Sequence, residues 1–176
     1  NYTFAKEGMV LSYSTSGLKD SINPGIYIKN LKTNSSKQIH ISHEKTKYFK
    51  LNLSNSGDKL AFVRDADSTK TYQRPYELYL WESSQKNSKL ILDTDSSPDG
   101  YKVSRYGDIK FSKNGSKLYF GLGLPEIVQD TLLLDEEIVN VEVWTYDEPR
   151  LYTVQEKQIE NDIKKSFQTV YHIKDD

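Results

Sequence analysis

One pattern recurs three times in this chain and constrains its fold more than any other feature. The segments Phe4-Ala-Lys-Glu-Gly8-Met-Val-Leu11-Ser-Tyr13, Leu53-Ser-Asn-Ser-Gly57-Asp-Lys-Leu60-Ala-Phe62 and Phe111-Ser-Lys-Asn-Gly115-Ser-Lys-Leu118-Tyr-Phe120 align without gaps. Each reads apolar-x-x-x-Gly-x-x-Leu-x-aromatic. The physics of that string is a β-hairpin. A strand ends at the first apolar residue, and a short polar turn follows. Gly8, Gly57 and Gly115 are expected to take φ > 0 there, as a three-residue hairpin loop requires. The next strand then alternates Leu-x-aromatic and places both side chains on one face.

Further strands follow in step. After the first hairpin come Gly25-Ile26-Tyr27-Ile28 and Ser36-Lys37-Gln38-Ile39; after the second come Glu77-Leu78-Tyr79-Leu80-Trp81 and Ser88-Lys89-Leu90-Ile91-Leu92. Polar turn formers separate them. The turn glycines lie 49 and 58 residues apart. Repeats of about 40–50 residues with four strands each are the signature of propeller blades. The third unit is irregular. Gly121-Leu122-Gly123-Leu124-Pro125 is expected to end a central strand. An acidic stretch from Asp130 to Glu137 and an extended run from Val139 to Tyr146 come next. Tyr152, Gln155, Ile159 and Ile163 then recur at helical spacing, predicting a helix over about 151–166. Phe167 to Ile173 reads as a further strand.

The fold class is therefore all-β with one helical excursion: about three four-stranded blades of a β-propeller forming an incomplete ring. The 176 residues make one partial propeller domain, with blade 1 at about 1–42, blade 2 at about 48–95 and blade 3 at about 104–176. Complete propellers hold roughly 4–8 blades. The outward faces of the first and third blades are expected to be apolar, and the chain to be prone to self-association. It opens at Asn1 without an initiator Met and stops before a fourth strand of the last blade, as an excised piece would.

Composition agrees. Thirteen Tyr suit half-buried sheet surfaces. Lys plus Arg (24) balances Asp plus Glu (25), which gives no electrostatic reason to expect nucleic acid as a partner. No apolar run approaches the roughly 20 residues of a membrane-spanning helix, so no membrane insertion is expected. With no Cys, disulfides, thiolate zinc sites and a Cys nucleophile are excluded. His40-x-x-His43-Glu44 carries metal-binding residue types, and Asp93-x-Asp95-x-x-x-Asp99-Gly100 has the flavour of a calcium loop. Neither has the spacing of a known site, so they read as a surface loop and a turn. No metal or cofactor is expected. Trp81 and Trp144 read as blade-packing residues.

The Ser/Asn-x-x-Gly-x-Lys-Leu-x-Phe hairpins resemble the WD-repeat-like blades of TolB-type and prolyl oligopeptidase-type propellers. Several stretches resemble bacterial members of the prolyl oligopeptidase family: Ser104-Arg105-Tyr106-Gly107, Asp130-Thr131, Val141-Glu142-Val143-Trp144, and the helix leading into Val170-Tyr171-His172. The resemblance implies a propeller that precedes an α/β-hydrolase domain with a serine nucleophile, caps its active site and sieves peptide substrates. It implies a periplasmic or secreted location. The nucleophile elbow Gly-x-Ser-x-Gly is absent from all 176 residues, so no catalytic residue is assigned. The candidate substrate-binding residues are Glu136 and Glu137, with Asp135 beside them, whose carboxylates suit a peptide's α-amino group, and Arg105, which is placed near the channel. The alternative is a non-enzymatic, TolB-like propeller that scaffolds protein–protein contacts at the cell envelope.

Overall fold

The computed structural model describes residues 1–16, 22–65, 67, 69, 73–126 and 146–173. Each repeated hairpin opens one antiparallel sheet. The first sheet runs β1 (Tyr2–Phe4), β2 (Val10–Thr15), β3 (Gly25–Asn30) and β4 (Ser36–Ile41) in chain order. The second runs β5 (Lys47–Leu53), β6 (Lys59–Asp65), β7 (Tyr76–Glu82) and β8 (Lys89–Leu92). In the third, β9 (Lys102–Val103) and β10 (Lys110–Phe111) both pair with β11 (Lys117–Gly123), which pairs in turn with β12 (Phe167–His172). The helix α1 (Tyr152–Ile163) lies between β11 and β12. These are three blades of a β-propeller, an incomplete ring.

The repeat extends to register. Tyr13 faces Tyr27 in the first sheet as Phe62 faces Tyr79 in the second, and both pairs stack with centroids 5.4 Å apart. A β-bulge interrupts the outer pairing at the same place in both blades, between Ile26 and Tyr27 and between Leu78 and Tyr79. The bulged residues are Ile39 and Ile91. Blades join through backbone as well as side chains: Ser88 N donates to Ile39 O at 2.8 Å, and Glu7 N to Asn55 O at 2.9 Å. Asn55 Nδ2 reaches on to Lys113 O at 3.4 Å, so the three hairpin turns touch in succession. At the hub β5 lies against both β1 and β10.

The strand β6 explains the stacking. Its Leu-Ala-Phe-Val run is apolar on both faces, and all four side chains are buried. Leu60 and Phe62 meet Ile26, Ile39 and Trp81 on the first-blade side. Ala61 and Val63 meet Leu118, Phe120, Leu122 and Val103 on the third-blade side. The Leu-x-aromatic pair of blade 3 thus packs back against blade 2, and that of blade 2 against blade 1. The equivalent pair of blade 1 points outward. There Phe4, Leu11, Tyr13 and Tyr27 share a face with Tyr2 and Ile41, and Tyr2 and Ile41 are each 72% exposed. The outward face of blade 3 differs from expectation. Its Tyr119 and Val170 alternate with Lys117, Gln168 and His172, so it is mixed rather than apolar.

Three local expectations are corrected. The hairpin connections span five residues between strands, as at 54–58 and 112–116, rather than three. In both of these turns the glycine N–H bonds back to the first loop residue: Gly57 N to Ser54 O at 3.0 Å, and Gly115 N to Ser112 O at 2.9 Å. Gly57 (φ 82°) and Gly115 (φ 70°) are left-handed, but Gly8 is not. Gly8 is needed for space, because a Cβ there would lie 2.3 Å from the Ser56 carbonyl oxygen. Finally, Gly121-Leu122-Gly123 does continue β11, because the backbone of another loop must pass over it. The apolar stripe of α1 is solvent-facing: the helix buries no residue, and Ile159 and Ile163 are each 57% exposed.

Gly57→Ala is expected to cost about 2–3 kcal/mol, since it combines left-handed strain with crowding of Ala5 and Val10. Gly100→Ala, left-handed but with open space around it, is expected to cost only about 1 kcal/mol. Urea unfolding of the two variants checks the difference, and equal losses would contradict it.

Candidate functional site

The inner strand of blade 3 is broken. Between Val103 and Lys110 the chain leaves the ladder, and residues 104–109 form a loop folded against β11. Ser104 begins it: its N–H bonds to Gly121 O at 3.0 Å, and its Oγ accepts from Tyr106 N at 3.2 Å. Gly107 then crosses Gly121 so closely that a Cβ on Gly107 would lie 2.4 Å from the Gly121 Cα. A smaller irregularity occurs in β5 between Phe49 and Asn52, where Lys50 has φ 54°. The two irregular segments are tied by Lys50 Nζ and Asp108 Oδ1 at 3.1 Å. The Lys50 ammonium holds the Asp108 carboxyl below its usual range, with Lys110 adding to the effect.

This loop sets Arg105 and Tyr106 at one wall of an open cleft, whose other walls include Tyr76, Lys102, Glu126 and Lys165. Arg105 Nη2 donates to Tyr106 Oη at 2.6 Å. The guanidinium carbon sits 4.7 Å from the Tyr106 ring centroid and 6.0 Å from those of Phe49 and Tyr76. The bond to Tyr106 raises the Arg105 pKa further, so the group is permanently cationic. Its Nε is buried and makes no hydrogen bond among the described residues. Among the described residues Arg105 forms no ion pair, and the Glu126 carboxylate acts on it only through space. Burial pushes the Tyr76 phenol above its usual range, while the Arg105 cation works the other way. Gln73 braces the rim, donating through Nε2 to Glu126 O at 2.7 Å and accepting from Lys102 Nζ at 3.2 Å. Arg74, also at the cleft, is consumed by structure: it pairs with Asp65 at 2.7 Å and Asp67 at 3.2 Å.

Of the predicted site residues, Arg105 reaches this cleft. Asp135, Glu136, Glu137 and Trp144 lie outside the described residues. Tyr76, Lys102, Glu126 and Lys165 were not singled out from sequence, because they come from different elements and share no spacing. Trp81 is core, with its Nε1 donating to Gln85 O at 3.2 Å. Asp93 is a turn former, accepting from Ser96 N at 2.8 Å and Ser96 Oγ at 2.6 Å.

His40 is not on a surface loop; this corrects the sequence reading. It ends up between blades 1 and 2, ringed by Tyr48, Phe62 and Tyr79 with centroids 4.7–5.9 Å away. Arg64 Nη1 donates to its Nε2 at 3.3 Å, so the proton sits on Nδ1 and is given to Ser88 Oγ at 2.7 Å. Arg64 is held in turn by Glu77 at 2.6 Å. Both imidazole nitrogens are engaged, while His43 and Glu44 are exposed. Burial, followed by the Arg64 charge, lowers the His40 pKa to about 4.

No protein-family model matches the sequence, and no curated protein matches it. Seven chains of known structure do. One is the β-propeller domain of the Trilobed protease from Pyrococcus furiosus, which has an open velcro topology. It is 23% identical with a TM-score of 0.45, covering 70% of this chain and 36% of that one. This chain therefore spans about a third of that chain. The propeller assignment rests on the three repeated sheets themselves.

Gly121→Ala is expected to lower stability by about 2 kcal/mol or more through the clash with Gly107, and to shift the Arg105 and Tyr106 NMR resonances. An unchanged spectrum would contradict the close crossing. His40 is neutral in the fold, whereas an unfolded histidine protonates near its ordinary 6.5. Stability is thus full above pH 6.5 and lost as pH falls toward 4, by up to roughly 3 kcal/mol. Unfolding at stepped pH should show this loss, and His40→Gln should flatten it.

Proposed function

We propose that this chain is a non-catalytic propeller segment that gates substrate access to the α/β-hydrolase domain of a prolyl oligopeptidase-like serine peptidase, in a periplasmic or secreted protein. One observation carries the reading. The inner strand of blade 3 leaves its ladder between Val103 and Lys110, and the loop so formed sets Arg105 and Tyr106 at an open cleft. The residues there suit recognition rather than bond breaking: a fixed guanidinium, a phenol beside it, and no nucleophile elbow anywhere in the chain. The peptide would meet Arg105 at the propeller's inner rim, and Glu136 and Glu137 would hold its amino end. The hydrolase domain of the same parent chain would supply the chemistry.

A second reading, a TolB-like scaffold for protein contacts, is favoured by the exposed aromatic face of blade 1. The two separate in one experiment on the full-length protein. A serine-directed phosphonate should label it, and Gly121→Ala should raise cleavage of a folded protein substrate relative to cleavage of a short peptide, because gating and chemistry are separate contributions. No labelling, or unchanged size discrimination, would overturn the gating role.

A further inference from the structure

We infer that the cleft between Arg105, Lys102 and Lys165 is a carboxylate-binding subsite, which selects peptides by a negative charge. The inference rests on the reading of the ligand as a peptide and adds its charge. Charge balance around the cleft comes first. Among the described residues four cationic side chains line it, but Arg74 is spent on Asp65 and Asp67. Lys102 bonds only to the neutral Gln73 oxygen, and Lys165 Nζ lies 5.7 Å over the Phe167 ring. Neither they nor Arg105 forms an ion pair among the described residues. Glu126 is the one carboxylate among the described lining residues. Among the described residues the cleft therefore carries more positive than negative charge, with Glu126 acting on Arg105 through space rather than as an ion pair.

The second observation is the state of Arg105 itself. Its buried Nε has no acceptor among the described residues. A buried N–H without a partner is costly, and each one in a native structure calls for a compensating role, ion or water. One edge of the guanidinium is used by Tyr106, and the stack of Tyr106, Phe49 and Tyr76 holds the plane in place. A planar group fixed in this way is set for a carboxylate, whose two oxygens match its parallel N–H bonds. Tyr76, which also lines the cleft, is held protonated by burial, so its hydroxyl keeps its proton. A peptide carbonyl alone would leave the surplus charge uncompensated. The carboxylate has two sources, a peptide's C-terminus or an acidic side chain.

The test uses the chain as it stands, followed by NMR titration. The probes are N-acetyl-triglycine as the free acid, the same peptide as its C-terminal amide, and the amide of N-acetyl-glycyl-glutamyl-glycine. The free acid, the glutamyl amide or both should shift the Arg105 Nε–H resonance, and whichever binds more tightly identifies the source. The uncharged amide should bind about tenfold more weakly or worse. Arg105→Gln should abolish binding, and Arg105→Lys should recover only part of it, because an ammonium lacks the fork. Glu126→Gln should tighten it about two- to fivefold, and added salt should weaken it. Equal binding of the acid and its amide, or weaker binding by Glu126→Gln, would overturn the inference. Both readouts stand even if Arg105→Gln fails to fold. A parent protein that resists the phosphonate would sink the peptidase reading yet leave a carboxylate-dependent titration intact.

Discussion

The structure depends on β6 being buried on both faces. A four-stranded sheet cannot hold its own apolar side chains away from water; it needs a sheet on each side. Leu60 and Phe62 on one face and Ala61 and Val63 on the other make blade 2 the shared floor of two cores. Remove that double burial and three separate sheets remain, each with an exposed apolar surface. The outward aromatic face of blade 1 shows what the arrangement leaves behind. Tyr13 and Tyr27 stack there as Phe62 and Tyr79 do in blade 2, but no imidazole covers them. The polar chain Glu77–Arg64–His40–Ser88 threads the covered version and fixes how blade 1 sits on blade 2.

The site grows from a departure from this regularity. Blade 3 repeats the hairpin turn and the central strand, then breaks its inner strand at Ser104. The break is possible because Gly107 and Gly121 let two backbones approach where side chains would collide. The displaced loop takes Arg105 off the ladder and lays its guanidinium among three aromatic rings. Loss of pairing in the least regular blade thus becomes a fixed cation facing an open cleft. The regular blades hold it in place: Phe49 and Tyr76, two of the rings beneath the guanidinium, belong to blade 2.

Much of the fold was legible because hairpins are local. A glycine four residues after an apolar residue and three before a leucine defines a turn and a strand polarity without reference to the rest of the chain. Gly57 and Gly115 behave accordingly. Gly8 looks the same in sequence yet serves a different need, the approach of the Ser56 carbonyl from the next blade. The helix over 152–163 was legible from spacing, but its stripe faces solvent, since periodicity reports which residues share a face and not what covers it. His40 was misplaced for the same reason: a polar residue at a strand end looks exposed until a neighbouring blade closes over it.

By itself, the sequence determined the number of repeating units, the hairpin in each, the strand alternation and the lack of a nucleophile elbow. These are properties of short stretches, governed by backbone sterics and side-chain alternation within about ten residues. Only the tertiary structure decided which face of each blade is covered, that among the described residues Arg105 forms no ion pair while Arg74 forms two, and that Lys102, Tyr76, Glu126 and Lys165 line the same cleft. Those facts depend on side chains brought together from strands, a loop and the end of a helix, and their sequence separations carry no trace of the meeting.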